Sequence, residues 1–232
     1  MQVHKLLTRS FILNNVVITG ANRGIGLALV NAFIAKDFNV YALCRRSSTE
    51  LDATKAKVIT EIDVTSEQGL LAMKVNLQDL SIDILINNAG ILRSNTLSEL
   101  NPETILEQFK VNAMAPLLVV DQLKSQLATP AKIALISSRM GSISDNSSGG
   151  AYGYRMSKSA LNAAGMSLAK DLASLQISVG IYHPGWVQTD MVNHSGDISA
   201  TDAAVKLCDL IIEQNMSNTG SFTHSNGQNL PW

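Results

Sequence analysis

Tyr154 and Lys158 stand four residues apart. On a helix that spacing places both side chains on one face, where they can address one ligand. A free tyrosine titrates near about 10 and is a poor acid–base group at neutral pH. A lysine ammonium beside it favours the phenolate, so the pairing is expected to lower the pKa of Tyr154. The tyrosine can then give a proton to a carbonyl oxygen as hydride reaches the carbon, or take one from an alcohol in reverse. Ser138 closes an apolar run upstream, and its hydroxyl can donate a hydrogen bond to the same oxygen and steady the alkoxide-like charge. Tyr152 is a decoy, because Met156 rather than a lysine lies four residues beyond it.

A second group of residues suits a phosphate. Gly20, Ala21, Asn22, Arg23, Gly24, Ile25 and Gly26 follow a short apolar run and open an amphipathic pattern. Glycines let the backbone turn sharply and approach a pyrophosphate with no side chain in the way. The helix that follows offers unpaired N–H groups and a partial positive charge. Beyond the second apolar run the chain reads Cys44-Arg45-Arg46, with no acid. A carboxylate there would serve a ribose 2′-hydroxyl, whereas an arginine bonds a 2′-phosphate. Arg45, with Arg23 in the glycine turn, therefore leads us to expect NADP(H) as cofactor.

The spacing G-x-x-x-G-x-G resembles that of the short-chain dehydrogenase/reductase family. The resemblance continues in Asn87-Asn88-Ala89-Gly90, in Asn112, in Ser138, in Tyr154-x-x-x-Lys158 and in the Pro184-Gly185 that follows an apolar run. The stretch His183 to Met191 and the ending Gly227 to Trp232 are more narrowly similar to the C-factor and Sniffer-like carbonyl reductase branch. The resemblance implies several roles. Lys158 also binds the nicotinamide ribose, and Asn112 holds a water in a proton relay ending at that lysine. Asp63 and Val64 contact adenine, and Asn88, Ala89 and Gly90 line the adenosine side. Pro184, Gly185, Val187 and Thr189 complete the cofactor site.

Substrate is expected beside the loop after the sixth strand, where Trp186 and Met191 stand with Val192 and His194. Arg139 and Met140, next to Ser138, border the same place, together with Leu92 and Arg93. Few residues separate Gly185 from the next helix, which leaves no room for a large lid. A shallow cleft for an aldehyde, ketone or quinone of modest size follows.

The elements that must position these groups alternate. Strands are expected at 16–19, 40–43, 58–62, 82–86, 133–136 and 177–182, with a weaker seventh at 221–223. Helical patterns are clearest from 25 to 34, from Pro102 to about Leu127, from Tyr154 to Leu175 and from Ala200 to Gln214. Such βα units predict an α/β fold, a single Rossmann-type doubly wound domain over 15–232 with about seven parallel strands and helices on both faces. Residues 1–14 read as an N-terminal arm.

Composition narrows the function classes. The 232 residues are 46% apolar, and 18 basic residues nearly balance 19 acidic ones. No basic footprint for nucleic acid or for an anionic membrane is present, and no apolar run is long enough to span a bilayer. Cys44 and Cys208 alone make neither a disulfide framework nor a zinc site, and read as buried thiols of a cytoplasmic protein. The histidines lack ligand spacing, so no metal site is expected. Ser138, His183 and Asp190 do not make a hydrolytic triad, since no G-x-S-x-G elbow surrounds a serine.

The reading is thus an NADPH-dependent carbonyl reductase with a small-molecule carbonyl substrate. The alternative is a C-factor-like signalling protein that binds the nucleotide without turnover. Two apolar helix stripes, one through Phe109, Ala113, Leu117, Val120 and Leu123, the other through Leu161, Ala164, Gly165, Leu168 and Leu172, point to a homodimer or homotetramer.

Overall fold

A computed structural model describes residues 14–232. The arm read over 1–14 falls, but for Asn14, outside the described residues. The strands are β1 (Asn15–Thr19), β2 (Asn39–Leu43), β3 (Lys57–Ile59), β4 (Ile82–Asn87), β5 (Leu127–Ile136), β6 (Ile177–His183), the short β7 (Val187–Gln188) and β8 (Ile198–Ser199), and β9 (Phe222–His224). The helices are α1 (Gly24–Ala35), α2 (Thr49–Asp52), α3 (Glu67–Asn76), α4 (Pro102–Phe109), α5 (Ala115–Leu123), α6 (Tyr152–Asp171) and α7 (Ala200–Glu213).

Seven strands form one sheet in the order β3-β2-β1-β4-β5-β6-β9, and every neighbouring pair is parallel. Parallel strands need long crossovers, and these place helices on both faces. Alternate side chains therefore enter two cores. Val17, Leu85, Ile133, Leu135, Val179 and Ile181 pack with residues of α3, α5 and α6. Val16, Ile18, Ile84, Ile86 and Ile136 pack with Leu29 and Phe33 of α1 and Leu207 and Ile211 of α7. Each such side chain contributes about 1.5–3 kcal/mol when fully buried. The order of strands reverses between β1 and β4, and it is there that the glycine turn and the Asn88 segment meet.

Three sequence expectations are corrected. The helix expected from Pro102 to Leu127 is broken by a π turn at Lys110–Met114 and ends at Leu123. β5 starts at Leu127, six residues early, because Leu127 continues the ladder beside Ile82. The apolar stripe on α6 faces inward: Leu161 and Leu168 are core residues, and a Cβ on Gly165 would lie 2.7 Å from Ile181 Cδ1. On the first helical run Ala113, Val120 and Leu123 are likewise buried, while Leu106, Phe109, Met114, Leu117 and Leu118 remain exposed. None of the helices among the described residues is long and apolar enough to cross a membrane.

Candidate active site

The glycine turn is a close backbone junction. Gly20 and Gly24 adopt φ of +65° and +53°, a region costly for residues with a Cβ. A Cβ on Gly20 would fall 2.8 Å from Ala89 Cα, and one on Gly26 would fall 2.1 Å from the Gly20 carbonyl oxygen. Asn88 Nδ2 donates to the carbonyls of Thr19 and Gly20, at 3.0 Å each. The Thr19 hydroxyl accepts from the N–H groups of Asn88 at 3.1 Å and Ala89 at 3.2 Å. Asn22 is held by the Ser48 hydroxyl, which donates to its carbonyl at 2.8 Å. α1 begins with no side-chain cap, so its first N–H groups face outward for an anion.

The cations behave differently from one another. Arg45 and Arg46 are exposed and make no ion pair among the described residues. Arg23, expected at the same phosphate, pairs with Asp190 at 3.3 Å. Asp63 caps its own turn, accepting from Thr65 N and Thr65 Oγ1 at 2.9 and 2.6 Å. Those bonds, with help from Arg45, hold its carboxyl below the usual range. Val64 is buried beside it. Gly69 was missed in the sequence, yet a Cβ there would strike the Asp63 carbonyl oxygen at 2.2 Å.

Ser138 stands two residues beyond β5, Tyr154 and Lys158 share α6, and Asn112 sits in the π turn; all four are buried. Asn112 and Lys158 meet at Gly90. A Cβ there would lie 3.3 Å from Asn112 Oδ1 and 3.8 Å from Lys158 Nζ. Lys158 Nζ donates to the Ile136 carbonyl at 2.8 Å and lies 5.8 Å from the Tyr154 ring centroid. The side chain of Asn112 is committed to protein. Its Oδ1 accepts from Ile91 N at 2.8 Å, and its Nδ2 donates to Ile91 O at 2.8 Å and Ser157 Oγ at 3.0 Å. Its carbonyl is another matter. In an α-helix that carbonyl would bond the N–H four residues on, but position 116 is proline and brings none.

The electrostatics overturn one expectation. Burial pushes the Tyr154 hydroxyl up to about 12, and the hydrogen bond with Ser138 only partly opposes it. Lys158 adds no lowering of its own, and burial depresses the lysine to about 8. A buried ammonium facing a neutral carbonyl has no carboxylate to keep its charge.

A set of supporting groups was not legible in the sequence. A Cβ on Gly141 would lie 2.8 Å from the Lys158 carbonyl carbon, so the turn after Ser138 rests on the backbone of α6. Ser159 Oγ and Asn162 Nδ2 both donate to the Gly141 carbonyl, and Ser137 Oγ donates to Asn162 Oδ1 at 2.6 Å.

The segment after β6 supplies the remaining candidates. Pro184 and Val187 are buried, and Gly185 turns at φ +97°. Thr189 Cγ2 comes within 3.4 Å of the place a Cβ on Gly24 would take, so this segment touches the glycine turn. Trp186 is 53% exposed and Met191 44%, which removes them from the core. Met140 is half-buried, Arg139 pairs with Asp145 at 3.0 Å, and Arg93 pairs with Glu107 at 3.3 Å. His183 packs edge-on against His224, its Nδ1 buried without a partner, and burial drives it down to about 3. It is a neutral ring. Among the described residues no three His, Cys, Asp or Glu side chains converge as a metal site. Cys44 and Cys208 are free and buried.

A doubly wound parallel sheet with a glycine turn at its switch point, a serine after one strand, and a tyrosine and lysine on the helix that follows, defines a Rossmann-type α/β protein. A family model described as short chain dehydrogenase matches residues 14–199, and the chain belongs to that family. It is 31% identical over 227 residues to a 1-hydroxy-2-glutathionyl-2-methyl-3-butene dehydrogenase of Rhodococcus sp. (strain AD45), spanning 95% of this chain and all of that one. It is 37% identical over 154 residues to the C-signal protein of Myxococcus xanthus, spanning 65% of this chain and 93% of that one. An NADPH-bound carbonyl reductase from chicken fatty liver superposes with a TM-score of 0.85 at 27% identity, over 95% of this chain and 99% of that one.

Proposed function

We propose that this protein is an NADPH-dependent reductase of a small aldehyde, ketone or quinone. The carrying observation is the line of contacts from Ser138 to Tyr154 and Lys158, with Lys158 and Asn112 meeting at Gly90, together with an uncapped glycine turn. The turn fits a dinucleotide: side chains are absent where its backbone is closest, and α1 offers free N–H groups. Gly20, Asn22, Gly24, Ile25 and Gly26 would hold the diphosphate, with Thr189 and Val187 on the far side. Asp63, Val64, Asn88, Ala89 and Gly90 would hold the adenosine, Lys158 the nicotinamide ribose, and Pro184 and Gly185 the nicotinamide. The absence of an acid at Cys44-Arg45-Arg46 supports NADP over NAD. The bound nicotinamide supplies hydride to the substrate carbon.

The chain's own part is proton and charge. Tyr154, protonated at neutral pH, donates its proton to the carbonyl oxygen; Ser138 donates a hydrogen bond to that oxygen and fixes its place. Asn112, whose carbonyl has no N–H four residues on because position 116 is proline, would hold a relay water toward Lys158. Trp186, Met191, Arg139 and Met140 would border the substrate. The exposed side chains of Leu106, Phe109, Met114 and Leu117 support a homodimer. The near-neutral charge and buried thiols support a cytoplasmic setting.

The test is a panel of aldehydes, ketones and quinones with NADPH, for native protein and Tyr154→Phe. The variant should lose about 10²-fold or more in rate while still binding NADPH. Near-normal turnover by Tyr154→Phe defeats the mechanism. Likeness to the C-signal protein supports a second reading, a signalling protein that needs no turnover. Nucleotide binding with no turnover anywhere on the panel would favour it.

A further inference from the structure

Trp232 ties the edge of the sheet to the turn that follows Ser138. After β9 the chain reverses at Gly227, at φ +88°, and runs back beside the strand. Thr223 bridges Asn229, and Leu230 N donates to the Phe222 carbonyl at 2.8 Å. Leu230 enters the core, and the Trp232 ring stacks on the buried Phe222 ring, centroids 5.4 Å apart at 25°. Such a pair is worth about 0.5–1.5 kcal/mol beyond its buried area, enough to seat the residue. The Trp232 carbonyl then accepts three hydrogen bonds: from Ser142 Oγ at 3.0 Å, Ser144 Oγ at 2.8 Å and Ser144 N at 2.9 Å.

Those serines continue the turn that orients Ser138. Ser138 Oγ accepts from Met140 N at 3.1 Å, and Gly141 N donates to the Ser138 carbonyl at 2.8 Å. The turn thus occupies one lone pair of the hydroxyl and limits where its proton can point. Ser142 Oγ also accepts from Asp145 N at 3.1 Å, and Asp145 pairs with Arg139 at 3.0 Å. α6 braces this turn through the Gly141 carbonyl, and Trp232 braces it from the side of β9.

We propose that Trp232 is a positioning residue: seated on Phe222 and held by Ser142 and Ser144, it fixes the turn after Ser138 so that the serine hydroxyl meets the reacting carbonyl oxygen in line. The inference rests on the reductase reading above. A hydrogen bond weakens steeply once it bends, and a donor aimed at the developing oxyanion is worth about 10²- to 10³-fold in kcat. Loosening the turn forfeits part of that factor. It leaves the glycine turn, at the other end of the dinucleotide, undisturbed.

The experiment measures kcat and KM on the fastest substrate of the carbonyl panel, beside a separate NADPH titration. It compares native protein, Trp232→Ala, Trp232→Phe and the pair Ser142→Ala with Ser144→Ala, each also combined with Ser138→Ala. Trp232→Ala and the serine pair should lower kcat by about 5- to 50-fold, part of what a lost oxyanion donor costs, with NADPH affinity unchanged. Trp232→Phe keeps a ring to stack on Phe222 and should recover most of the rate. In Ser138→Ala protein the same changes should lower kcat no further, because the group they position is gone. An equal loss with and without Ser138 marks a merely structural role and overturns the proposal, as does a native kcat in Trp232→Ala. Native protein that turns over nothing on the panel defeats the reductase reading instead. Amide exchange then judges the clasp by itself: residues 139–145 must exchange faster in Trp232→Ala than in native protein, and equal exchange refutes it.

Discussion

Lys158 is a buried cation whose hydrogen-bond partner is a neutral carbonyl, that of Ile136. Its pKa falls from 10.5 to about 8 on folding. Between those values the unfolded chain binds more protons than the folded one, so stability rises with pH across that window. Below about 8 the penalty is complete. Replacing the ammonium with an apolar group of similar length removes the penalty and forfeits one hydrogen bond. Lys158→Met should therefore be more stable than native protein at pH 7, by roughly 1–3 kcal/mol, while losing reductase activity. Thermal melts at pH 7 and pH 9.5, without nucleotide, check it: the advantage should shrink at the higher pH. Equal midpoints at pH 7 would contradict the burial argument. Arg45 makes a second test at this scale. On the proposed NADP preference, Arg45→Asp should weaken NADPH binding and spare or improve NADH, read by fluorescence titration of each.

Elements meet at this site through missing side chains. Gly141 lets the turn that follows Ser138 lie on the backbone of α6, the helix that carries Tyr154 and Lys158. The atoms in the way of a Cβ are backbone, which cannot swing aside. Gly141→Ala should push the turn off the helix, destabilise the protein by about 1–3 kcal/mol and cut turnover more than NADPH affinity. Kinetics beside a nucleotide titration separate the two effects; unchanged kcat would refute the coupling.

The sequence spoke unevenly about these elements. The run Ile82 to Ile86 is apolar but for Asp83 because both faces of β4 are covered, so it was legible. The serine, tyrosine, lysine and asparagine were legible because their chemistry and order are distinctive. The π turn was not, since its extra residue leaves the apolar spacing of the helices on either side intact, and Pro116 is its single local sign. β5 began early because Thr129 and Pro130 disguise a strand that tertiary pairing extends. The inward face of α6 was misjudged because leucines and small residues surround that helix, and helical phase alone did not say which of them meets Ile181. Gly69 and Gly141 stayed hidden because a sequence does not show what an absent Cβ would strike.

At the scale of the whole molecule, the face to watch runs along α4, the π turn and α5. Leu106, Phe109, Met114, Leu117 and Leu118 are exposed there, and Met156 of α6 is exposed as well. Only fifteen residues, Arg139 to Gly153, join Ser138 to Tyr154, too few to cover both helices. Light scattering after size exclusion at micromolar concentration should give about twice the 24.9 kDa chain mass. Leu117→Glu should return the monomer mass by placing a charge in the contact. A native mass near 25 kDa would defeat the dimer.

The sheet's outer edge bears on how the chain is made. β9 supplies the outer partner of β6, a strand buried along nearly its whole length. During synthesis the glycine turn, the π turn and α6 all leave the ribosome before residues 222–224 do. Until those residues arrive, the nascent chain displays an open, apolar strand edge, the surface on which chains stick to one another. A chaperone that shields that edge would raise the yield of folded protein, and a ribosome stalled just short of Phe222 would release a species prone to aggregate.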